Sequence, residues 1–275
     1  MLSAAQSQHV AQTAGRTSRS VNRLWRLLSA PLLLFLLLPL VALLTRTSLA
    51  QIQTSLAEPE VTQAISLSFT TTLMSLALTL ICGTPVAYVL AVRRGKIERI
   101  MDTLVDLPTV LPPSVAGIAL LLAFGRRGLL GSWLNEVGIT IAFTQVAVVL
   151  AQTFVASPFY IKAATIAFAS IDPDLKQAAA LDGATPWQVF RFITTPLAWA
   201  GLVSGAVMSW ARALGEFGAT ILFAGNLPGQ TQTMPLAIYL GFEGNLDIAV
   251  TLSVILMSCS FGALLLAKAL LAKRD

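Results

Sequence analysis

Six long apolar stretches separated by polar segments divide this chain. They run at about residues 25–45, 64–92, 105–124, 139–168, 193–223 and 246–270. An α-helix needs about twenty mostly apolar residues to cross the hydrocarbon core of a bilayer. The pattern therefore predicts an all-α, polytopic membrane protein with six transmembrane helices.

Composition supports this prediction and removes one alternative. Of 275 residues, 56% are hydrophobic and only 11% are charged, which is unusual for a soluble domain. The net charge of +5 could indicate nucleic acid, but the basic residues flank apolar spans and therefore favour membrane lipid as the partner. Cys82 and Cys259 lie inside spans, and we interpret both as reduced packing residues. No spacing predicts a metal site or a cofactor bound by this chain.

The N-terminal residues have a different composition from the rest. Residues 1–23 are rich in Gln, Ser, Thr and Arg, which predicts a disordered tail before a membrane domain at 24–275. Arginines followed by the apolar run 30–44 are also the pattern of a secretory signal, which would be cleaved near Ala50. An uncleaved first helix is favoured, because Arg46 lies near that site and five more spans follow.

Basic residues predict the orientation. With the N-terminus inside, fourteen Lys and Arg residues, Lys162 among them, fall in inner segments, and only Arg46, Arg126 and Arg127 fall in outer ones. The positive-inside rule then places both termini in the cytoplasm of a multi-pass inner-membrane protein.

The polar segment 172–196 interrupts two long spans. Asp172 and Pro173 suit a helix start, and Gly183 suits its end. Pro186 can open a second helix. An apolar face of that helix, which would need a partner, could be formed by Trp187, Val189, Phe190 and Ile193.

Two spans contain helix-perturbing residues. Small hydroxyl residues in the second span permit close helix contact, and Gly83 with Pro85 favours a bend. These residues are Ser68, Thr70, Thr71, Thr72, Ser75 and Thr79. Pro108, Pro112 and Pro113 prevent an unbroken third helix. Its backbone either faces protein or a water-filled cavity, or forms a loop just inside the membrane boundary.

The fifth span carries two charges. Gly201 and Gly205 form a small-xxx-small pattern for close helix packing. Arg212 and Glu216 are spaced i,i+4, so they share a helix face and either neutralise each other or have a pore-facing or intersubunit role.

Glycine-rich outer loops are also predicted. The segment 125–131 contains Arg126 and Arg127 but no Gly-Lys-Ser/Thr sequence, so we do not interpret it as a phosphate-binding loop. It is either a turn with two exposed arginines or a docking site for an acidic partner. After the loop 223–235, residues 237–240 predict a short helix at the outer surface.

The spacing in 177–196 resembles the cytoplasmic coupling loop of ABC-importer permeases. That pattern is Glu-Ala-Ala, three residues, Gly, nine residues and Ile-x-Leu-Pro; here Gln177 and Thr195 replace its Glu and Leu. Three segments, 212–219, 226–233 and 124–128, are similar to the molybdate-type permeases and share much with sulfate permeases. The resemblance covers about residues 60–270.

The resemblance implies a type I importer permease that is a homodimer and is not itself an enzyme. Two copies of a cytoplasmic ATPase would bind ATP and Mg²⁺, and a periplasmic or lipid-anchored protein would deliver an oxyanion: molybdate, with tungstate, sulfate or thiosulfate as alternatives. The implied coupling residues are Gln177, Ala178, Ala179, Asp182, Gly183, Ala184 and Pro186. The implied path or dimer-interface residues are Arg212, Gly215, Glu216 and Gly218, and the implied docking residues are Arg126 and Arg127.

Two other classes remain as rivals. A stand-alone secondary transporter or channel would need charged residues in several spans, whereas only Arg212 and Glu216 lie clearly within one. A membrane-embedded enzyme would need a Ser/His/Asp or His-metal arrangement, which the sequence does not offer.

Overall fold

The computed structural model describes Trp25 and residues 27–93 and 95–272, without the side chains of residues 270–272; the predicted tail 1–23 lies outside them. Helix α1 spans Leu27–Thr45 and belongs to a separate unit from residues 49–275. Its apolar side chains are almost all exposed, as expected for a helix in contact with lipid. This helix agrees with the first predicted span.

The second unit consists of helices and loops in its described part. The elements are α2 (Leu49–Leu56), α3 (Pro59–Val92), α4 (Lys96–Val110), α5 (Pro113–Phe124), α6 (Gly131–Glu136), α7 (Gln145–Ala169), α8 (Pro173–Leu181), α9 (Pro186–Val189), a π-helix (Phe190–Thr194), α10 (Thr195–Leu214), α11 (Gly218–Phe223), α12 (Met234–Gly244) and α13 (Leu246–Ala272).

Five helical segments among the described residues are long and apolar enough to cross a membrane. They are α1, α3, α7, the continuous segment Pro186–Leu214, and α13. A sixth crossing is possible only if α4 and α5 are counted together, and these two are bent by 117° at Leu111 and Pro112. The predicted six-span pattern is therefore confirmed, with the third span broken where its prolines cluster.

Helix α7 lies at the centre of the second unit, packed against α3 and α10. A Cβ atom on Gly201 or Gly205 would lie only 2.5 or 2.7 Å from the Cβ atoms of Ala167 and Ala163. The small-xxx-small prediction is thus confirmed. Helix α7 also contacts α3, where the Thr153 hydroxyl donates to the Ser75 hydroxyl at 3.0 Å, which agrees with the predicted use of small hydroxyl residues.

Several predicted boundaries were wrong for local reasons. Helix α7 begins at Gln145 rather than 139, because Thr144 is its N-cap and Phe143 has a φ of 63°. The fifth span ends at Leu214 instead of continuing to 223. Of the two cysteines, Cys259 packs against the apolar cluster around Leu252, whereas Cys82 is exposed and is not a packing residue.

Candidate functional site

The first helix of the polar segment 172–196 forms where the sequence predicts it. The Asp172 carboxylate caps α8 by accepting from the Asp174 N–H at 2.9 Å. After the helix, Gly183 has a φ of +86°, and the Ala184 N–H donates to the Ala179 carbonyl at 3.0 Å. A positive φ is accessible to glycine without steric cost, so Gly183 sets the turn.

The second helix begins with a capping box that we did not predict. The Gln188 N–H donates to the Thr185 hydroxyl at 3.3 Å, and the Thr185 N–H donates to the Gln188 side-chain oxygen at 2.7 Å. Pro186 occupies the first helical turn, where its missing N–H is tolerated. The Thr-x-x-Gln spacing was the available sequence signal.

The predicted apolar face of this helix is divided. Val189 is buried, and the Phe190 ring packs edge-on against Tyr88 with a centroid distance of 5.0 Å. Ile193 is half-buried, and Trp187 is 66% exposed. Phe192, which is not part of the predicted face, is 68% exposed. The division follows from packing, because the Phe190 ring lies against the rings of Tyr88 and Phe168.

The exposed parts of α8 and α9 and the turn between them form a protruding surface, which we call the coupling surface. Of the predicted coupling residues, five are exposed and two are half-buried: Gln177, Ala178, Asp182, Gly183 and Pro186, then Ala179 and Ala184. Leu181, between them, is 89% exposed. Beside this surface lies a concavity of ≈370 Å³ bordered by Trp187, Arg191 and Phe192. Apolar side chains exposed next to polar ones are typical of a protein-binding site.

Arg212 and Glu216 form an ion pair, but they do not share a helix face. Helix α10 ends at Leu214, and Glu216 lies in the break before α11. The Arg212 Nη1 to Glu216 Oε2 distance is 2.8 Å, and the other carboxylate oxygen accepts from the Ala219 N–H at 2.8 Å. The Glu216 side chain is 1% exposed, and that of Arg212 is 30% exposed. The pair therefore ties α10 to α11.

Arg212 faces a cavity of ≈140 Å³ at the break between α4 and α5. Pro108, Thr109 and Leu111 line one side of it, and Phe159 of α7 lines another. Of the two alternatives for the proline cluster, the structure agrees with the one in which the backbone faces a cavity.

The two predicted glycines beside this pair have different roles. Gly215 is the C-cap of α10. Gly218 opens α11, and a Cβ atom there would lie 2.6 Å from the Pro113 Cβ atom at the start of α5. The breaks after α4 and after α10 therefore lie next to each other.

A second charged cluster was missed. Lys162, which we had assigned to an inner segment, lies within α7 and pairs with Asp102 at 2.6 Å and Asp106 at 2.8 Å, both on α4. The two acids are four residues apart and so lie on one face of α4, a spacing that could have been recognised in the sequence. The cluster fixes the broken helix α4 to α7.

Arg126 and Arg127 lie apart from both of these sites. They are exposed in a turn closed by the Gly128 N–H, which donates to the Gly125 carbonyl at 2.7 Å. The turn exposes both arginines, as both predicted alternatives require, and the docking role stays a prediction. The predicted outer helix is longer than expected and runs Met234–Gly244, with Met234 and Leu236 fully buried.

The broken transmembrane helices and the protruding helical pair define a transport permease. The chain belongs to the family of binding-protein-dependent transport system inner membrane components, whose model matches residues 83–274. It is thus a multi-pass membrane permease. Its structure is similar to that of a bacterial alginate ABC transporter in complex with an alginate pentasaccharide-bound periplasmic protein. That similarity has a TM-score of 0.70 at 18% identity and covers 92% of this chain and 94% of the other.

Two relatives indicate the particular branch of the family. The molybdenum transport system permease protein ModB of Mycobacterium tuberculosis is 44% identical over 225 residues, covering 82% of this chain and 85% of ModB. A probable sulfate transport system permease protein, cysT of Chlorokybus atmophyticus, is 32% identical over 222 residues, covering 80% of this chain and 78% of cysT.

Proposed function

We propose that this chain is the membrane permease subunit of an ATP-driven importer that carries molybdate inward by alternating access. The observation that carries the proposal is the 44% identity to a molybdenum permease across 82% of the chain. Sulfate or thiosulfate is the second candidate, because a probable sulfate permease is 32% identical across 80% of the chain. Tungstate belongs with molybdate, since the two tetrahedral dianions are nearly equal in size and both are larger than sulfate.

In this proposal the ATPase is a separate cytoplasmic subunit that holds ATP and Mg²⁺, and this chain is not an enzyme. The coupling surface is the docking site, because its residues are exposed and the turn at Gly183 is fixed by its backbone conformation. Two ATPase copies would contact two copies of this chain. Movement of the docked ATPases would shift the coupling surfaces and bias the permease between inward- and outward-facing states.

The remaining partners follow from the same assignment. A periplasmic or lipid-anchored binding protein would deliver the oxyanion, and the exposed Arg126 and Arg127 suit docking of an acidic surface. Both termini, including the tail at 1–23, would lie in the cytoplasm. A permease homodimer would place the transport path between the two copies, with Arg212, Glu216, Gly215 and Gly218 at that path or at the dimer interface.

A competition experiment tests the choice of oxyanion. The permease, ATPase and binding protein would be reconstituted in liposomes, and uptake of labelled molybdate measured with excess unlabelled tungstate or sulfate. We expect tungstate to compete and sulfate to leave uptake unchanged. Equal displacement by sulfate would instead assign the chain to the sulfate branch.

A further inference from the structure

We propose that the cavity beside Arg212 is a transit contact for the tetrahedral oxyanion, with Glu216 as the residue that positions the guanidinium. This inference rests on the proposed import of an oxyanion. It assigns the contact to a place in the fold where the helix breaks after α4 and after α10 lie together.

The Arg212–Glu216 pair differs in burial between its two members. Glu216 is almost completely buried and uses both carboxylate oxygens, one on Arg212 and one on the Ala219 N–H. Arg212 is the exposed member of the pair. It is also the only charged residue among the described residues that line the cavity. A neutral pair therefore presents its cation to the cavity.

The Arg212 guanidinium has hydrogen-bond donors suited to an oxyanion. Arginine has five N–H donors in a planar fork that matches two oxygens of an oxyanion. Its ion pair with Glu216 involves Nη1, so donors remain for a second acceptor. The cavity of ≈140 Å³ is far larger than the ~10–15 Å³ that one water molecule requires, so a small oxyanion has room there.

The Glu216 carboxylate limits how strongly the anion is held. A transport contact must release its ligand, and conduction requires binding that is favourable but weak. Glu216 competes with the oxyanion for Arg212 and also repels it. Removal of the Glu216 charge should therefore strengthen anion binding, which would not be expected if the pair only joined α10 to α11.

The test uses the assembled permease–ATPase complex with variants chosen to avoid an unpaired buried charge. The double variant R212Q/E216Q is neutral at both positions, and R46Q is a control that removes one exposed cation between α1 and α2. We expect R212Q/E216Q to assemble and to lose about ten- to hundredfold of molybdate uptake, and R46Q to transport normally. Uptake by the double variant within about twofold of wild type would overturn the inference.

A binding measurement keeps the inference testable if the double variant fails to assemble. Equilibrium binding of labelled tungstate to the purified complex, without binding protein, is compared between wild type and E216Q. We expect E216Q to bind at least about tenfold more tightly. Equal or weaker binding would refute the contact. Absence of uptake by the wild-type complex would contradict the proposed function itself, before any variant is compared.

Discussion

Gly183→Ala tests whether the turn of the coupling surface must keep its conformation for the ATPase to bind. Gly183 has a φ of +86°, and an added Cβ atom would meet nothing within 4 Å. The substitution therefore changes backbone energy without creating a clash. A left-handed conformation costs a non-glycine residue about 1–2 kcal/mol.

A penalty of about 1–2 kcal/mol corresponds to about a five- to thirtyfold change in an equilibrium constant. We expect the affinity of the ATPase subunit for the detergent-solubilised permease, measured by titration, to fall by no more than this factor. Gly138 provides a matched control, because it has a φ of +80°, also has open space around it, and lies between α6 and α7. Gly138→Ala should have the same backbone cost without weakening ATPase binding. Equal ATPase affinity of the two variants would refute the assignment of the coupling surface.

Three further predictions concern packing, charge and topology. Gly205→Ala should lower the unfolding temperature in detergent, because it overpacks α10 against α7. Gly262→Ala should raise the unfolding temperature, because Gly262 has open space around it. Shifts of the same sign would contradict the packing of α10 on α7. Lys162→Met should destabilise the fold by about 1 kcal/mol through two unpaired carboxylates on α4. High salt should reduce that loss, and a salt-independent loss would contradict its electrostatic origin. In a cysteine-free background, an impermeant thiol reagent added outside should label Arg127→Cys and not Leu181→Cys; the reverse would overturn the orientation.

The sequence predicted what depends on apolar length and local chemistry. Six apolar stretches correspond to five long helices and one broken pair among the described residues. The turn at Gly183 and the contacts of Gly201 and Gly205 were predictable because each needs a small or conformationally free residue. Clustered prolines predicted a break, because proline removes a helix hydrogen bond and clashes with the preceding turn. The break lies at Leu111 and Pro112, whereas Pro108 is accommodated inside α4.

Other features depend on contacts between distant segments. Arg212 and Glu216 were expected on one helix face because their spacing is i,i+4, yet α10 ends between them. The local pattern does not reveal that the Glu216 carboxylate accepts from the Ala219 N–H in the first turn of α11. Lys162 was counted with the inner segments although the predicted span 139–168 contains it, and its partners lie about sixty residues earlier on α4. The division of the apolar face at Trp187 likewise depends on packing against Tyr88.

The most direct test of the central claim is whether molybdate transport requires the separate ATPase. Liposomes containing the permease would be prepared with and without the ATPase subunit, loaded with ATP and Mg²⁺, and supplied outside with binding protein and labelled molybdate. We expect uptake only when both ATPase and ATP are present. Uptake by the permease alone would contradict this expectation and would identify the chain as a stand-alone transporter.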